Sequence, residues 1–331
     1  MKTDAGSRTT GRVGPVPRLI ASRVALGLLT LVVVSVLVFW ATEVLPGDAA
    51  YAVLGHNASP EQIRALQQAL GLDQPIVQQY WSWARGLLTG DLGTSIADHT
   101  PVWEIIRPRL INTAVLAIVA GVIGSIVGVL VGIVLAARKD GRLDNVVSGA
   151  ALAVTALPEF VVAIALVIVF STVIWRLLPA VSVLPPGTYP WEQPRLLILP
   201  VAALVIIVIT YIIRMTRAAM IEALDSDYCE MARLKGVSSR RLLFRHALPN
   251  ALPPIIQVVA LTFLYLAGGI VIVENAFAFP GIGQGLVNAV NARDIPVIQA
   301  IVLGLAAFYL IVNISADVSV HLLSPRRREA R

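Results

Sequence analysis

Residues Tyr228 to Pro254 read YCEMARLKGVSSRRLLFRHALPNALPP, a run that mixes charge with apolar residues in a chain otherwise built of apolar blocks. Seven basic residues fall between Arg214 and Arg245 (Arg214, Arg217, Arg233, Lys235, Arg240, Arg241, Arg245), interleaved with Glu222, Asp225, Asp227 and Glu230. Such a charge density does not sit in hydrocarbon, so the stretch is a water-facing loop between two membrane spans. It also carries the marks of a folded loop. Helix formers from Arg217 to Lys235 predict one helix, stopped by Gly236 in the C′ position. Ser238 is placed to cap a second helix, Ser239 to Leu248, closing near Pro249. Leu242, Leu243 and Leu248 share an apolar side of that second helix. A helix–glycine–helix knuckle on a membrane surface is a shape for docking a partner.

Working outward, the composition agrees. Of 331 residues, 57% are apolar and 14% charged, against about 25% charged in an average soluble protein, and the mean hydropathy is +0.79. These values define a polytopic membrane protein. The net charge of +6 reflects Lys and Arg gathered in cytoplasmic loops rather than a nucleic-acid partner. Cys229 is the single cysteine, which excludes an internal disulfide.

The blocks predict an all-α chain with six spans and both termini cytoplasmic. Residues 1–23 form a basic cytoplasmic tail, and residues 24–42, free of charge, form span 1, retained rather than cleaved. Residues 43–109 form an acidic external insert, in which Ser59 and Pro60 open a helix to Leu70. Residues 110–323 form a five-span core. Its first span, Leu110 to Ala137, carries Gly121, Gly124, Gly128 and Gly132, a small-residue stripe suited to close helix packing. Asn145 to Trp175 crosses next, interrupted by Pro158-Glu159, and a proline-rich loop over 176–194 follows. Leu196 to Ile213 leads into the cytoplasmic loop 214–254. Ile255 to Val273 and Val297 to Leu323 complete the core around an external loop, Asn275 to Pro296. Residues 324–331 form a basic cytoplasmic tail. Every basic cluster then lies on one side.

Chemistry of its own is hard to place on this chain. No G-x-x-x-x-G-K-[ST] occurs, so a nucleotide that powers it is bound by another subunit. An intramembrane hydrolase needs a nucleophile and a base facing each other at depth, yet His56, His99, His246 and His321 all lie in loops or at a span end. An ion-coupled secondary carrier needs ionisable groups near the midplane. The candidates are Glu159, Glu274 and Asp317, with only Glu159 at mid-span, and Asp140 and Asp144 read as a solvated turn. Glu159 therefore stands as the possible pathway residue, with capping of the proline kink as its competing role. No Cys/His pair has metal-ligand spacing, and no cofactor is called for.

The central stretch resembles a known family. Glu230-x-Ala232, Gly236 and His246-x-Leu248-Pro249 are similar to the EAA loop of ABC importer permeases. DY at 227–228, ARxKG at 232–236 and RHAxxNAxxP at 245–253 are similar to its dipeptide/oligopeptide branch. Met231 stands where the loop usually has Ala. Leu45-Pro46-Gly47-Asp48, Gly90-Asp91-Leu92-Gly93, Phe279-Pro280-Gly281-Ile282-Gly283 and Arg293-Asp294-Ile295-Pro296 extend the likeness over roughly residues 19 to 325. The resemblance implies an inner-membrane permease subunit, not itself an enzyme. It would work with a second homologous permease, two ATP-binding subunits and an external substrate-binding protein. Glu230, Ala232, Gly236, Leu242, Leu243, His246, Leu248 and Pro249 would couple to the ATPase, the three leucines supplying buried contact. The implied cargo is a di- or oligopeptide; the same pattern also serves nickel and sugar-derived solutes.

Overall fold

In a computed structural model, the structure describes residues 15–44, 59, 61, 74–185 and 187–323. The Leu45–Asp48 turn, nearly all of the helix expected over 59–70, residues 1–14 of the N-terminal tail and the C-terminal tail lie outside the described residues, while residues 15–23 of the expected tail are already helical as the start of α1. Helix α1 spans Pro15–Val44, α2 Ile76–Thr89, α3 Val102–Ala137, α4 Arg142–Thr155 and α5 Glu159–Val167. Helix α6 spans Pro194–Leu224 and α7 Asp227–Leu234. A single turn, α8 (Ser239–Arg241), leads through a wide π-turn, Leu242–Ala247, into α9, Leu248–Ala276. Helices α10 (Ile282–Ala292) and α11 (Ile295–Leu323) follow. An isolated bridge pairs Thr94 with Pro101, and no strand forms among the described residues.

Glycine decides the central packing. A Cβ built on Gly124 would stand 2.7 Å from Val208 Cγ2, on Gly128 2.8 Å from Ile212 Cγ2, and on Gly132 2.7 Å from Thr216 Cβ. The stripe therefore lets α3 and α6 approach until backbone meets side chain, as small-residue interfaces do where lipid leaves no hydrophobic drive. Positions 124, 128 and 132 meet 208, 212 and 216 in the same order, so α3 and α6 run parallel. Two parallel helices joined by one connection require that connection to recross the membrane.

That recrossing is α4 and α5, bent by 106° at their break. Five other helices among the described residues are long and apolar enough to cross, so the broken pair makes the sixth crossing. The bend follows from Pro158. A proline pushes the residue before it out of the α region, and α4 closes with Ala156 N–H donating to Ala153 at 3.2 Å and Leu157 N–H to Val154 at 3.0 Å. The Pro158 carbonyl then accepts Val161 N–H at 3.0 Å, starting α5. The interruption expected at Pro158-Glu159 is thus a sharp break that divides the crossing over 145–175 into two half-spans.

Two further expectations change. Helix α3 begins at Val102, so the last eight residues of the 43–109 segment are already helical. The segment expected as an external loop over 275–296 is a folded cap, because Phe277, Phe279, Ile282 and Ala289 are buried and α10 lies within it. The core runs as one apolar column from Phe277 and Leu266 through Leu116 and Leu204 to Val208. A second cluster, around Met220 and Leu242, underlies the charged loop. Helix α1 stands at the periphery against α11, tied by a buried bond from Gln299 Nε2 to Thr42 Oγ1 at 2.8 Å.

Candidate functional site

The charged loop is built from two turns. Helix α6 ends at Leu224, and Ser226 turns extended with ψ at 151°. The Ser226 hydroxyl donates to the Ala223 carbonyl at 2.5 Å. Its own carbonyl accepts Cys229 N–H and Glu230 N–H, each at 3.0 Å, and so nucleates α7. The single helix expected from Arg217 to Lys235 is therefore broken at Asp225-Ser226, where a serine competes for backbone groups. The Gly236 joint forms as expected. Its φ is +78°, its N–H donates to Arg233 at 3.0 Å, and Val237 N–H reaches Ala232 at 3.1 Å. That pair of bonds is a Schellman closure, which favours glycine at this position.

Ser238 caps the next turn with its carbonyl alone, accepting Leu242 N–H at 2.9 Å, while its hydroxyl makes no cap bond. The second helix does not end near Pro249. It continues as α9 through Pro249, Pro253 and Pro254 to Ala276. A proline ring crowds the carbonyl four residues back. For Pro249 that residue is Arg245, which lies within the widened π-turn, so the helix passes without breaking.

The loop residues singled out from the sequence divide into two sets. Leu242 is 3% exposed and Ala232 is buried, and both pack with Met220, Ala223 and Cys229 in the chain's own core. Leu243 and Leu248 lean on the same cluster. The leucines therefore brace the knuckle from within, because α8 and the π-turn fold back onto α6. Leu242 offers no outward contact, and Leu243 and Leu248 are half-buried. Glu230, Gly236 and Pro249 are exposed and His246 half-buried, and His246 supplies its carbonyl to Asn250 Nδ2 at 2.7 Å. What faces outward is Tyr228, Met231, Leu234 (76% exposed) and Phe244, ringed by the charges of the loop. Only the spacing of Tyr228, Met231 and Leu234, three residues apart on α7, could have exposed this face.

The base is pinned by charge. Asp144 is buried and takes a two-pronged ion pair from Arg217, Nε at 2.5 Å and Nη2 at 2.7 Å, with Asp140 N–H and the Ser148 hydroxyl adding bonds. The turn at 140–144 is thus not merely solvated. It locks the start of α4 to the knuckle end of α6, and Lys139 to Asp225 at 2.9 Å adds an exposed tie.

Above the knuckle, at the break between α4 and α5, lies a second candidate site. Glu159 lines two adjoining hollows of about 630 Å³ and 480 Å³, which share Leu264, Tyr265 and Tyr309. Thr155, Thr210, Tyr211 and Thr262 complete the larger one. Its carboxylate lies against the Tyr265 hydroxyl and over Gly269, and no ion pair forms to it among the described residues. Glu274 is different. Fully buried, it accepts Thr113 Oγ1 at 2.6 Å, Gly283 N–H at 2.7 Å and Gln284 N–H at 3.3 Å. It caps α10 and belongs to packing. The Asp317 side chain is outside the described residues.

The comparisons with known proteins agree with this architecture. Residues 128–329 match the family described as binding-protein-dependent transport system inner membrane component, and residues 16–117 match its N-terminal membrane component. A putative peptide transport system permease protein of Brucella abortus is 39% identical over 311 residues, covering 94% of this chain and 98% of the relative. The glutathione transport system permease protein GsiC of Salmonella choleraesuis is 37% identical over 307 residues, covering 92% and 96%. Among solved structures, an inward-facing MetNI methionine ABC transporter chain superposes with a TM-score of 0.53 at 18% identity, over 64% of this chain and 93% of that one. It shares the fold. The chain belongs to the binding-protein-dependent transport system inner membrane components, as a multi-pass permease.

Proposed function

We propose that this permease imports di- or oligopeptides, received from an external binding protein and driven by ATP hydrolysed in separate subunits. The observation that carries the coupling half is the knuckle: a glycine-jointed pair of turns, braced from behind by Leu242 and Ala232, presenting Tyr228, Met231, Leu234 and Phe244 outward. Two ATP-binding subunits and a second homologous permease complete the assembly. Glu230 and the loop arginines orient the docked ATPase, Gly236 sets the angle, and His246 and Pro249 mark the turn into α9. The braced base passes ATPase closure to α6 through Arg217 and to α4 through Asp144. Glu159 and its tyrosines line the cargo path at the break in the third span. The names of the Brucella and Salmonella relatives support peptides as cargo, over nickel, sugar-derived solutes or ion-coupled carriage.

A β-branched residue tolerates φ near +78° poorly, and a left-handed residue costs on the order of 1–2 kcal/mol. A Cβ on Gly236 meets nothing within 4 Å, so Gly236→Val acts on the backbone alone. The expected outcome is a permease still inserted, with ATPase subunits lost on copurification and uptake reduced. A strain needing an external dipeptide for an essential amino acid tests the cargo. Deleting the permease should stop its growth on peptides; undiminished growth with lost nickel or oligosaccharide uptake would overturn the peptide assignment.

A further inference from the structure

Helix α2 lies in the segment expected to be an external, water-exposed insert, yet its contacts place it elsewhere. The Tyr80 hydroxyl bonds the Ser35 hydroxyl at 2.9 Å, and Phe39 packs against Tyr80 and Trp83 with ring centroids 5.4 and 5.5 Å away. Ser35 lies seven residues before Thr42, the last residue of the apolar stretch of span 1. At 1.5 Å per residue, Tyr80 meets α1 roughly 10 Å inside its apolar end. The helix has one apolar arc, and α1 covers only part of it. Tyr80 and Trp83 face α1. Val77, Trp81 (60% exposed) and Leu88 (88% exposed) continue the arc around the helix on its exposed side, Trp81 touching only the edge of its neighbour Tyr80 among the ring contacts. Gln78, Ser82, Arg85 and Thr89 occupy the opposite side. Leu87, on the covered side, walls an apolar groove of about 330 Å³ with Trp103, Leu110 and Phe308.

We propose that α2 lies within the membrane, in the leaflet opposite the basic loops, with Val77, Trp81 and Leu88 against phospholipid acyl chains and Arg85 reaching the headgroups. Three observations carry it together: the depth of the Ser35 contact, the apolar arc that outruns its protein partner, and the polar side turned away. A helix in this position fixes the tilt of α1 and narrows the aqueous part of the insert to what flanks it.

The test places a nitroxide by single cysteine substitution at Val77, Leu88, Gln78 and Arg85, in the whole transporter reconstituted in phosphatidylethanolamine–phosphatidylglycerol vesicles. The unsubstituted chain, whose only cysteine is buried, is the labelling control. Relaxation enhancement by oxygen, which partitions into lipid, is compared with that by a water-soluble nickel chelate. Val77 and Leu88 should respond to oxygen and hardly to nickel, with Gln78 and Arg85 reversed. Strong nickel response at all four positions would show an aqueous helix and overturn the proposal. Shielding from both reagents at Val77 and Leu88 would mean a protein surface covers the face, a binding protein or second permease, and would overturn it equally.

Discussion

Two glutamates show how differently one residue type is used in this chain. Glu274 satisfies both carboxylate oxygens with hydroxyl and backbone donors, and a Cβ on Gly281 would collide with it. An amide there turns a donor toward donors, and leaving one such buried group unmatched costs about 1–3 kcal/mol. Glu274→Gln should therefore lower the thermal stability of the detergent-solubilised protein, read by the temperature at which it aggregates. Glu159 has no such cage. An unpaired charge at mid-span costs on the order of 2.5–3.5 kcal/mol, eased here by its place in the first turn of α5, where the helix dipole favours an anion. Glu159→Gln should leave folded yield unchanged or higher while altering uptake. Unchanged uptake would reduce Glu159 to a cap of the kinked backbone. The sequence showed both residues as charges in apolar surroundings. It could not separate them, because the partners of Glu274 at Thr113 and Gly283 are set by how α3 and α10 meet.

At the scale of elements, the stripe Gly121 to Gly132 was legible because small residues at three- and four-residue spacing have one common use in lipid. Its partners were not legible, since α6 offers ordinary Val208, Ile212 and Thr216 to Gly124, Gly128 and Gly132, and α9 offers Phe263 to Gly121. Gly132 is the least forgiving position: an added Cβ would meet the Ile213 carbonyl at 2.9 Å as well as the Thr216 side chain, and backbone cannot rotate away. Gly132→Ala should separate α3 from α6 at the knuckle end and cost transport along with stability. The same substitution at Gly149, which faces open space, should cost neither. A melting comparison of the two variants checks this. The knuckle was equally readable at Gly236, where one residue type dominates the left-handed closure. The break at Asp225-Ser226 and the passage through Pro249 were not, because each depends on a local hydrogen-bond choice that composition does not fix. Asp144 escaped for a related reason: its partner Arg217 is 73 residues away and in no periodic relation to it.

At the scale of the molecule, the parallel run of α3 and α6 makes six crossings a matter of geometry, and the distribution of Lys and Arg supplies the direction. Ser239 is exposed on the knuckle and should be cytoplasmic. Opposite it, Ser95 is 1% exposed and bonds Asp294, so the neighbouring Ala97, which is exposed, is the better probe. Single cysteines at Ala97 and Ser239, treated on intact cells with a membrane-impermeant thiol reagent, should label only at Ala97. Equal labelling would refute the charge-based orientation. The bond from Ser95 to Asp294 also explains why GDLG at 90–93 and RDIP at 293–296, far apart in the chain, both stand out in the sequence: they are two halves of one corner.

The parallel pairing of α3 with α6 has a consequence for synthesis. Neighbouring antiparallel spans can close as a hairpin while the chain is still emerging, but α3 must wait for α4, α5 and all of α6 before its glycine face finds a surface. For nearly ninety residues of translation that face has no mate in its own chain. A nascent chain arrested before Leu224 should thus be held by the insertion machinery or destroyed by membrane proteases, whereas one arrested beyond it should persist.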